Sequence, residues 1–306
     1  MRYLSFILSL LLLASCAVPP EPSAPVIHLS DLKPLPADPS DDVVPLRVAV
    51  AAVISPKGTA ESYQFLLDYL SQKLDRPVEL VQRRTYSEVN DLVESGYVDV
   101  AFVCTSAYVD GNEKFGMELL AAPQVNGETV YYSLLIVPAD SPAQTRSVAD
   151  LRGRVFAFTD PMSNTGRVYP TYLVQQLGSA PDQFFARTFF TYSHDDAIRA
   201  VADGLADGAA VDSLVYDFAV ARDPALGEKI RVIHRSPPFG IPPVVVSPTV
   251  RPQLKAELQS ILLGMADDPQ GQKGLQTVGV DKFVLIDDSA YDSARNLLAA
   301  VGPVSP

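Results

Sequence analysis

The chain predicts an α/β protein of two doubly wound lobes joined by two hinge crossings. Three observations lead there. Short apolar runs alternate with segments of helical period from Leu46 onward, the pattern of βαβ units around a mostly parallel sheet. Val98–Val103 is an apolar run broken only by Asp99, the pattern of a central strand covered on both faces. Proline-marked breaks after Val137 and at Pro237–Pro243 divide the alternation in two.

The elements follow in order. Leu46–Val53 reads as a strand ending in the turn Ser55-Pro56-Lys57-Gly58, and Tyr63, Leu66, Leu67, Leu70 and Leu74 fall at helical spacing. Val78–Val81 is a short strand. Val89, Leu92 and Val93 mark a helix that stops at Gly96, ahead of the strand Val98–Val103. Leu134–Val137 is a further strand, with the first crossing placed at Val137–Ser141. The second set comprises strand Val155–Phe158, a helix after Thr165, a helix with Ala197, Ile198 and Val201, and strands Ala209–Val211 and Arg231–Ile233. After the crossing at Pro237–Pro243 come strand Val244–Val246 and helical patterns at Leu254–Met265 and Tyr291–Leu298. The expected first lobe is discontinuous, 46–137 with 244–306; the second is 138–243. Open α/β sheets bind ligands beyond the carboxyl ends of their strands, so two facing lobes predict a cleft that closes by hinge motion.

Residues 1–45 predict location. Arg2, the apolar stretch Tyr3–Leu13 and the small residues Ala14 and Ser15 read as a secretory signal, too short to span a bilayer. The tetrad Leu13-Ala14-Ser15-Cys16 closely resembles the bacterial lipobox, which implies a signal peptide over 1–15 and lipidation of Cys16. Ala17–Pro45 carries eight prolines among acidic and small residues and predicts an extended tether, reaching roughly 90 Å at the polyproline rise. The expected address is the cell envelope, lipid-anchored outside the cytoplasmic membrane, with the membrane as a partner.

Composition narrows the partners. A formal charge of −12 and a pI near 4.7 oppose a nucleic-acid partner. The 47% apolar content and 20% charged content are those of a folded globular protein. Two cysteines and three histidines show no metal-ligand spacing, so neither a metal nor another cofactor is expected. With Cys16 lipidated, Cys104 has no disulfide partner and reads as a small buried residue, with a nucleophile as the weaker option. The expected state is a monomer.

Several segments resemble the substrate-binding proteins of phosphonate, phosphite and phosphate ABC importers, a branch of the type II periplasmic binding proteins. They are Val98-Asp99-Val100-Ala101-Phe102, Thr159-Asp160-Pro161-Met162-Ser163-Asn164-Thr165-Gly166 and Ser193-His194-Asp195-Asp196-Ala197. To these add Val201-Ala202-Asp203-Gly204, Ala209-Ala210-Val211-Asp212-Ser213 and Ser236-Pro237-Pro238. The ordered set covers most of Leu46–Val246. It implies a solute-binding protein that delivers a small oxyanion to an ABC permease, and it implies pocket roles for Tyr86 and Tyr132, for each of which packing is an equal explanation. The chain departs from that family at Val103-Cys104-Thr105-Ser106, in losing the aspartate of the hinge motif, and in having no tryptophan.

The residues point to an oxyanion independently. Ser163, Asn164, Thr165 and Gly166 lie between a strand end and a helix start, where free N–H groups and two hydroxyls form an array of neutral donors; simple N-capping is the plainer reading. His194 opens another helix and reads as a donor to an anion or as an exposed helix-start residue. Asp212 ends a strand; it reads as an acceptor for a P–OH or an amine, or as a surface loop residue. Ser55, Thr105 and Ser106 complete the candidate set at strand ends. Two other functions compete with import: a ligand-sensing envelope lipoprotein feeding a membrane signalling partner, and a binding protein of the same fold with a different small ligand. Ser163, His194 and Asp212 supply the residue types of a catalytic triad, but no Gly-x-Ser-x-Gly elbow surrounds Ser163, so no enzyme activity is expected.

Overall fold

In the computed structural model, which describes residues 44–302, side-chain alternation builds two cores on each sheet. Leu46 and Val48 of β1 (Leu46–Val50) enter one cluster while Ala49 enters another, because successive strand residues face opposite sides. The expected signal segment, Cys16 and most of the tether lie outside the described residues.

The remaining strands are β2 (Val78–Gln82), β3 (Val100–Phe102), β4 (Glu118–Gln124), β5 (Val130–Tyr131), β6 (Ser133–Pro138) and β7 (Val155–Phe158). They continue with β8 (Arg187–Phe190), β9 (Gly208–Asp212), β10 (Ile230–Arg235), β11 (Phe239–Gly240), β12 (Val244–Val246) and β13 (Lys282–Val284). They form a six-stranded sheet in the order β13-β4-β12-β3-β1-β2 and a five-stranded sheet in the order β10-β6-β9-β7-β8. Each sheet is the centre of one α/β lobe. Ala101 and Val103 face one core of the first sheet and Val100 the other, so the apolar run at 98–103 is covered on both sides as expected.

The sheets are mixed instead of wholly parallel. The βαβ strands β1, β2 and β3 are parallel, as are β7, β8 and β9. β6 and β12 run against them. Each antiparallel strand arrives from a crossing, so it starts at the cleft edge where the βαβ strands end. Ser133 opens β6 opposite Asp212, and Val244 opens β12 opposite Phe102.

One boundary needs correction. The expected first crossing at Val137–Ser141 comes too late, because Ser133–Pro138 already pairs with β9 and β10 in the second sheet. The chain crosses earlier, between β4 and β6. An apolar run shows that a strand is buried but not in which sheet. β5 in the first crossing pairs with β11 in the second, Tyr131 opposite Phe239 and Val130 opposite Gly240. The two crossings thus form a two-stranded hinge ribbon beside the cleft.

Three of the longer helices escaped the sequence reading. The helix Thr105–Phe115 follows β3 directly, and the helix Ser213–Arg222 follows β9 directly. The helix Pro269–Val278 packs its glycines against neighbours; a Cβ on Gly274 would sit 3.2 Å from the backbone of Leu66. Small residues at a close helix contact leave no apolar stripe to read.

Candidate functional site

The turn after β7 is the centre of the site. Residues Asn164–Val168 form one wide helical turn ahead of the helix Tyr169–Gln176, and Ser163 caps it by accepting from Gly166 N–H at 3.0 Å. Gly166 is required here: a Cβ would lie 1.9 Å from Thr159 Oγ1. Ser163, Asn164 and Thr165 are at most 1% exposed. Capping is therefore real, but it uses only the acceptor side of Ser163.

His194, buried behind Ser163, completes that arrangement. Its Nδ1 stands 3.0 Å from the backbone N–H of Asp212, which can only donate. Nδ1 is thus an acceptor, and the ring proton belongs on Nε2, 3.3 Å from Ser163 Oγ. Burial pushes the imidazole pKa down to about 3, so the ring stays neutral. With Gly166 N–H and His194 Nε2–H both directed at its oxygen, the Ser163 hydroxyl proton remains free to donate outward. His194 is not an exposed helix-start residue. It positions Ser163.

The same geometry separates these residues from a hydrolytic triad. A general base needs a free lone pair on Nε2 facing the serine, with Nδ1–H held by the carboxylate. Here Nε2 carries the proton and Nδ1 is occupied by a backbone N–H.

Asp212 is buried and caps the helix Ser213–Arg222, its Oδ1 accepting from Leu214 N–H at 2.7 Å. Burial dominates and raises its pKa to about 7, against the pull of the capping N–H groups. The surface-loop reading of Asp212 is excluded.

The first lobe supplies the facing wall. Tyr86, Thr105, Ser106 and Cys104 are all buried. Tyr86 begins the helix Tyr86–Glu94, capped by a reciprocal Thr85–Glu88 pair. Its backbone N–H donates across the cleft to Asp160 Oδ2 at 3.0 Å. Asp160 also accepts from Met162 N–H at 2.7 Å, and burial lifts its pKa to about 6. The Ser106 hydroxyl donates to the Met162 carbonyl, and Thr105 Oγ1 donates to the Gly240 carbonyl of the hinge at 2.7 Å. These two hydroxyls hold the halves together, so as donors they are already committed.

Three buried polar atoms here have no partner among the described residues: Tyr86 Oη from one lobe, and Thr165 Oγ1 and Asn164 Oδ1 from the other. An unpaired buried polar group costs on the order of 1–3 kcal/mol. The Asn164 amide donates to Tyr131 Oη at 3.2 Å. Burial lifts the Tyr86 and Tyr131 phenols well above their usual pKa, and the nearby Asp212 carboxylate pushes the same way. Cys104 lies against the backbone N–H groups of Asn164 and Ser106, and burial raises its thiol pKa. No Lys or Arg touches this cluster among the described residues; its donors are neutral.

Two expected residues fall elsewhere. Tyr132 is only half-buried, and its ring lies 3.6 Å from the Arg235 guanidinium carbon. The neighbouring Tyr131 reaches the cluster instead, because adjacent residues at a strand start point opposite ways. Ser55 stands outside: its N–H donates to Asp195 Oδ1 at 2.8 Å, and His194 N–H donates to Val53 O at 2.9 Å. That pair of bonds links the lobes at the cleft rim, as does Arg84 stacked over Tyr192.

Asp160, Tyr131 and Cys104 were missed as site residues. Asp160 lay inside a motif read for its hydroxyls; nothing in the spacing marks the other two. Among the described residues no group of three or more His, Cys, Asp or Glu side chains is placed to hold a metal ion, and no helix is long and apolar enough to cross a membrane.

Two α/β lobes closing on a buried, uncharged donor cluster define a two-lobed solute-binding protein of the type II periplasmic fold. Comparison with known proteins agrees. Residues 48–291 match the family described as "ABC transporter, phosphonate, periplasmic substrate-binding protein", and the chain belongs to that family. It is similar to the phosphate-import protein PhnD of Mycolicibacterium smegmatis, 30% identical over 185 residues, which span 57% of each chain. The chain thus spans little more than half the length of that curated relative.

Two solved structures share the fold. One is a binding-protein component of an ABC phosphonate transporter from Pseudomonas aeruginosa, with TM-score 0.78, 22% identity, and coverage of 84% of this chain and 86% of that one. The other is PhnD1 from Prochlorococcus marinus in complex with methylphosphonate, with TM-score 0.74, 17% identity, and coverage of 83% and 97%.

Proposed function

We propose that this protein captures a phosphate-, phosphite- or phosphonate-like oxyanion between its lobes, outside the cytoplasmic membrane, and presents it to an ABC permease. The observation that carries the reading is the unpaired pair of hydroxyls Tyr86 Oη and Thr165 Oγ1, buried between lobes and joined by the outward-facing hydroxyl of Ser163; the unpaired Asn164 Oδ1 beside them can only accept, as from a P–OH. Neutral donors suit a tetrahedral oxyanion that must later be released, since none holds it by opposite charge. Asp212 supplies an acceptor: it takes a hydrogen bond from a P–OH, which fully deprotonated sulfate cannot offer. The protein acts by binding and closing, not by chemistry, because the His194 tautomer leaves Ser163 without a base.

Thermal unfolding with phosphate, phosphite, methylphosphonate and sulfate tests the ligand class. A true ligand at 100 times its Kd stabilises by about 2.7 kcal/mol, whereas sulfate gives no shift. A panel in which none of the first three shifts the transition sinks the reading. Anchoring through lipidated Cys16 is supported by the Leu13-Ala14-Ser15-Cys16 tetrad. Cys16→Ala is then expected to move the protein from the membrane fraction to the soluble one.

A further inference from the structure

Arg84 of the first lobe and Tyr192 of the second meet across the cleft, the guanidinium carbon 4.1 Å from the ring centre. Topology puts that contact at the mouth. In the first sheet β3 and β1 separate β2 from β12, and in the second β9 and β7 separate β8 from β6. The crossings run through β12 and β6, whereas Arg84 follows β2 and Tyr192 follows β8. At about 4.8 Å per strand, each residue stands roughly 14 Å farther out than the strand that meets the crossing. A hinge rotation therefore separates this pair more than it separates the groups around Thr165.

Two further features set the pair apart. The Arg84 side chain is exposed and makes no ion pair or hydrogen bond among the described residues, so the ring is its one specific neighbour there. Tyr192 is held in the left-handed region at φ +63°, a conformation that a glycine adopts without strain and a tyrosine does not. Its N–H donates to Thr159 O at 2.9 Å, and Phe190 stands beside the ring with centroids 6.0 Å apart. The strained turn thus aims a supported ring at the other lobe, and strain of this kind collects at functional positions. Thr159 adjoins Asp160, which accepts from Tyr86 N–H across the cleft, and Tyr86 lies two residues from Arg84. The stack flanks that bond from both lobes.

We infer that Arg84 and Tyr192 form a latch across the cleft mouth, made after a ligand has entered, which slows reopening and so sets how long the ligand stays. The residence time rests on the function proposed above; the latch is measurable without a ligand.

The test is amide hydrogen exchange by NMR on the ligand-free full chain. The N–H groups of Ser55, Tyr86 and His194 each donate to the opposite lobe, so they exchange when the lobes part, while the amides of β1 report the first lobe alone. Arg84→Gln and Tyr192→Gly are each expected to speed the three cross-cleft amides about two- to fivefold, the strength of an exposed cation–π contact, with β1 unchanged. Tyr192→Phe, which keeps a ring, is expected to hold the parent rates. Because glycine relieves the strained turn, Tyr192→Gly is also expected to melt no lower than the parent, which loss of an ordinary packing residue would not allow. In stopped flow with methylphosphonate, both latch variants are expected to release faster by the same factor and to capture at the parent rate. Unchanged cross-cleft exchange in both variants overturns the inference. So does an equal speeding of β1, or a release rate that does not move. If methylphosphonate and phosphate both fail to bind, the proposed function falls and the residence-time role with it, while the exchange rates still decide whether the pair latches the lobes.

Discussion

On one side of Asp212 the cleft is lined by hydroxyls, an amide and buried phenols; on the other it is lined by valines, prolines and aromatic rings. The polar side keeps Tyr86 Oη and Thr165 Oγ1 without partners among the described residues. The apolar side leaves about 310 Å³ between surfaces that could have met. Each side is individually unfavourable in the empty protein, the first through unmade hydrogen bonds and the second through lost packing. The difference teaches that the groups left without partners beside Asp212 are neutral ones, in a chain whose formal charge is −12.

The sharpest way to break this contrast is Thr165→Val. The hydroxyl has no partner among the described residues, so its loss is expected to leave ligand-free stability unchanged or slightly raised. It removes one hydrogen bond to a charged ligand, worth about 1.5–3 kcal/mol, so methylphosphonate affinity is expected to fall by one to two orders of magnitude in calorimetry. A stability loss without an affinity loss would make the polar side ordinary core.

Next in size is Gly166→Ala, which forces a methyl group into Thr159 Oγ1. Overpacking of this kind costs on the order of 1–3 kcal/mol, read from the urea midpoint, and it deforms the turn that presents Thr165. Thr159→Ala in the same chain is expected to restore much of both.

Asp212→Asn probes the junction between the two sides. The folded pKa is near 7 against 3.8 for the free side chain, so between these values the folded protein holds a proton that the unfolded chain releases. The stability associated with this group is therefore present at pH 4 and lost as pH rises through 7. Asn keeps an oxygen to accept from Leu214 N–H and carries no charge. At pH 8 the variant is expected to exceed the parent by on the order of 2 kcal/mol in denaturant titration, and at pH 4 to match it. Equal stability at both pH values would mean that the buried carboxylate is not strained.

The smallest effects separate two neighbouring tyrosines. Tyr131→Phe removes the acceptor for the Asn164 amide and is expected to cost about 1 kcal/mol. Tyr132→Phe keeps the ring beneath Arg235 and is expected to stay within about 0.5 kcal/mol. Reversal of that order would restore Tyr132 to the site.

Much of the framework was legible because periodicity is a local signal. The strands at 78–82, 155–158 and 244–246 and the helix at 194–202 fell where apolar spacing placed them. The motif Thr159–Gly166 led to the turn that proved central. What spacing could not show was partnership. Which nitrogen of His194 carries its proton is decided by the Asp212 N–H found on its Nδ1. Thr105 and Ser106 read as ligand donors until Gly240 O and Met162 O accept from them. Cys104 was legible as buried and small, but not as a neighbour of Asn164, sixty positions away in sequence and in the other lobe.

By itself the sequence determined the strands, most helices and the chemical types gathered at strand ends, because these follow from the chain's own period and from nearest neighbours. The tertiary structure decided which sheet β6 joins, which of Tyr131 and Tyr132 faces inward, and which hydroxyls keep a free proton. Those outcomes depend on hydrogen-bond partners brought together from distant positions in the chain. A donor's availability is a property of the closed pair of lobes, and no single segment carries it.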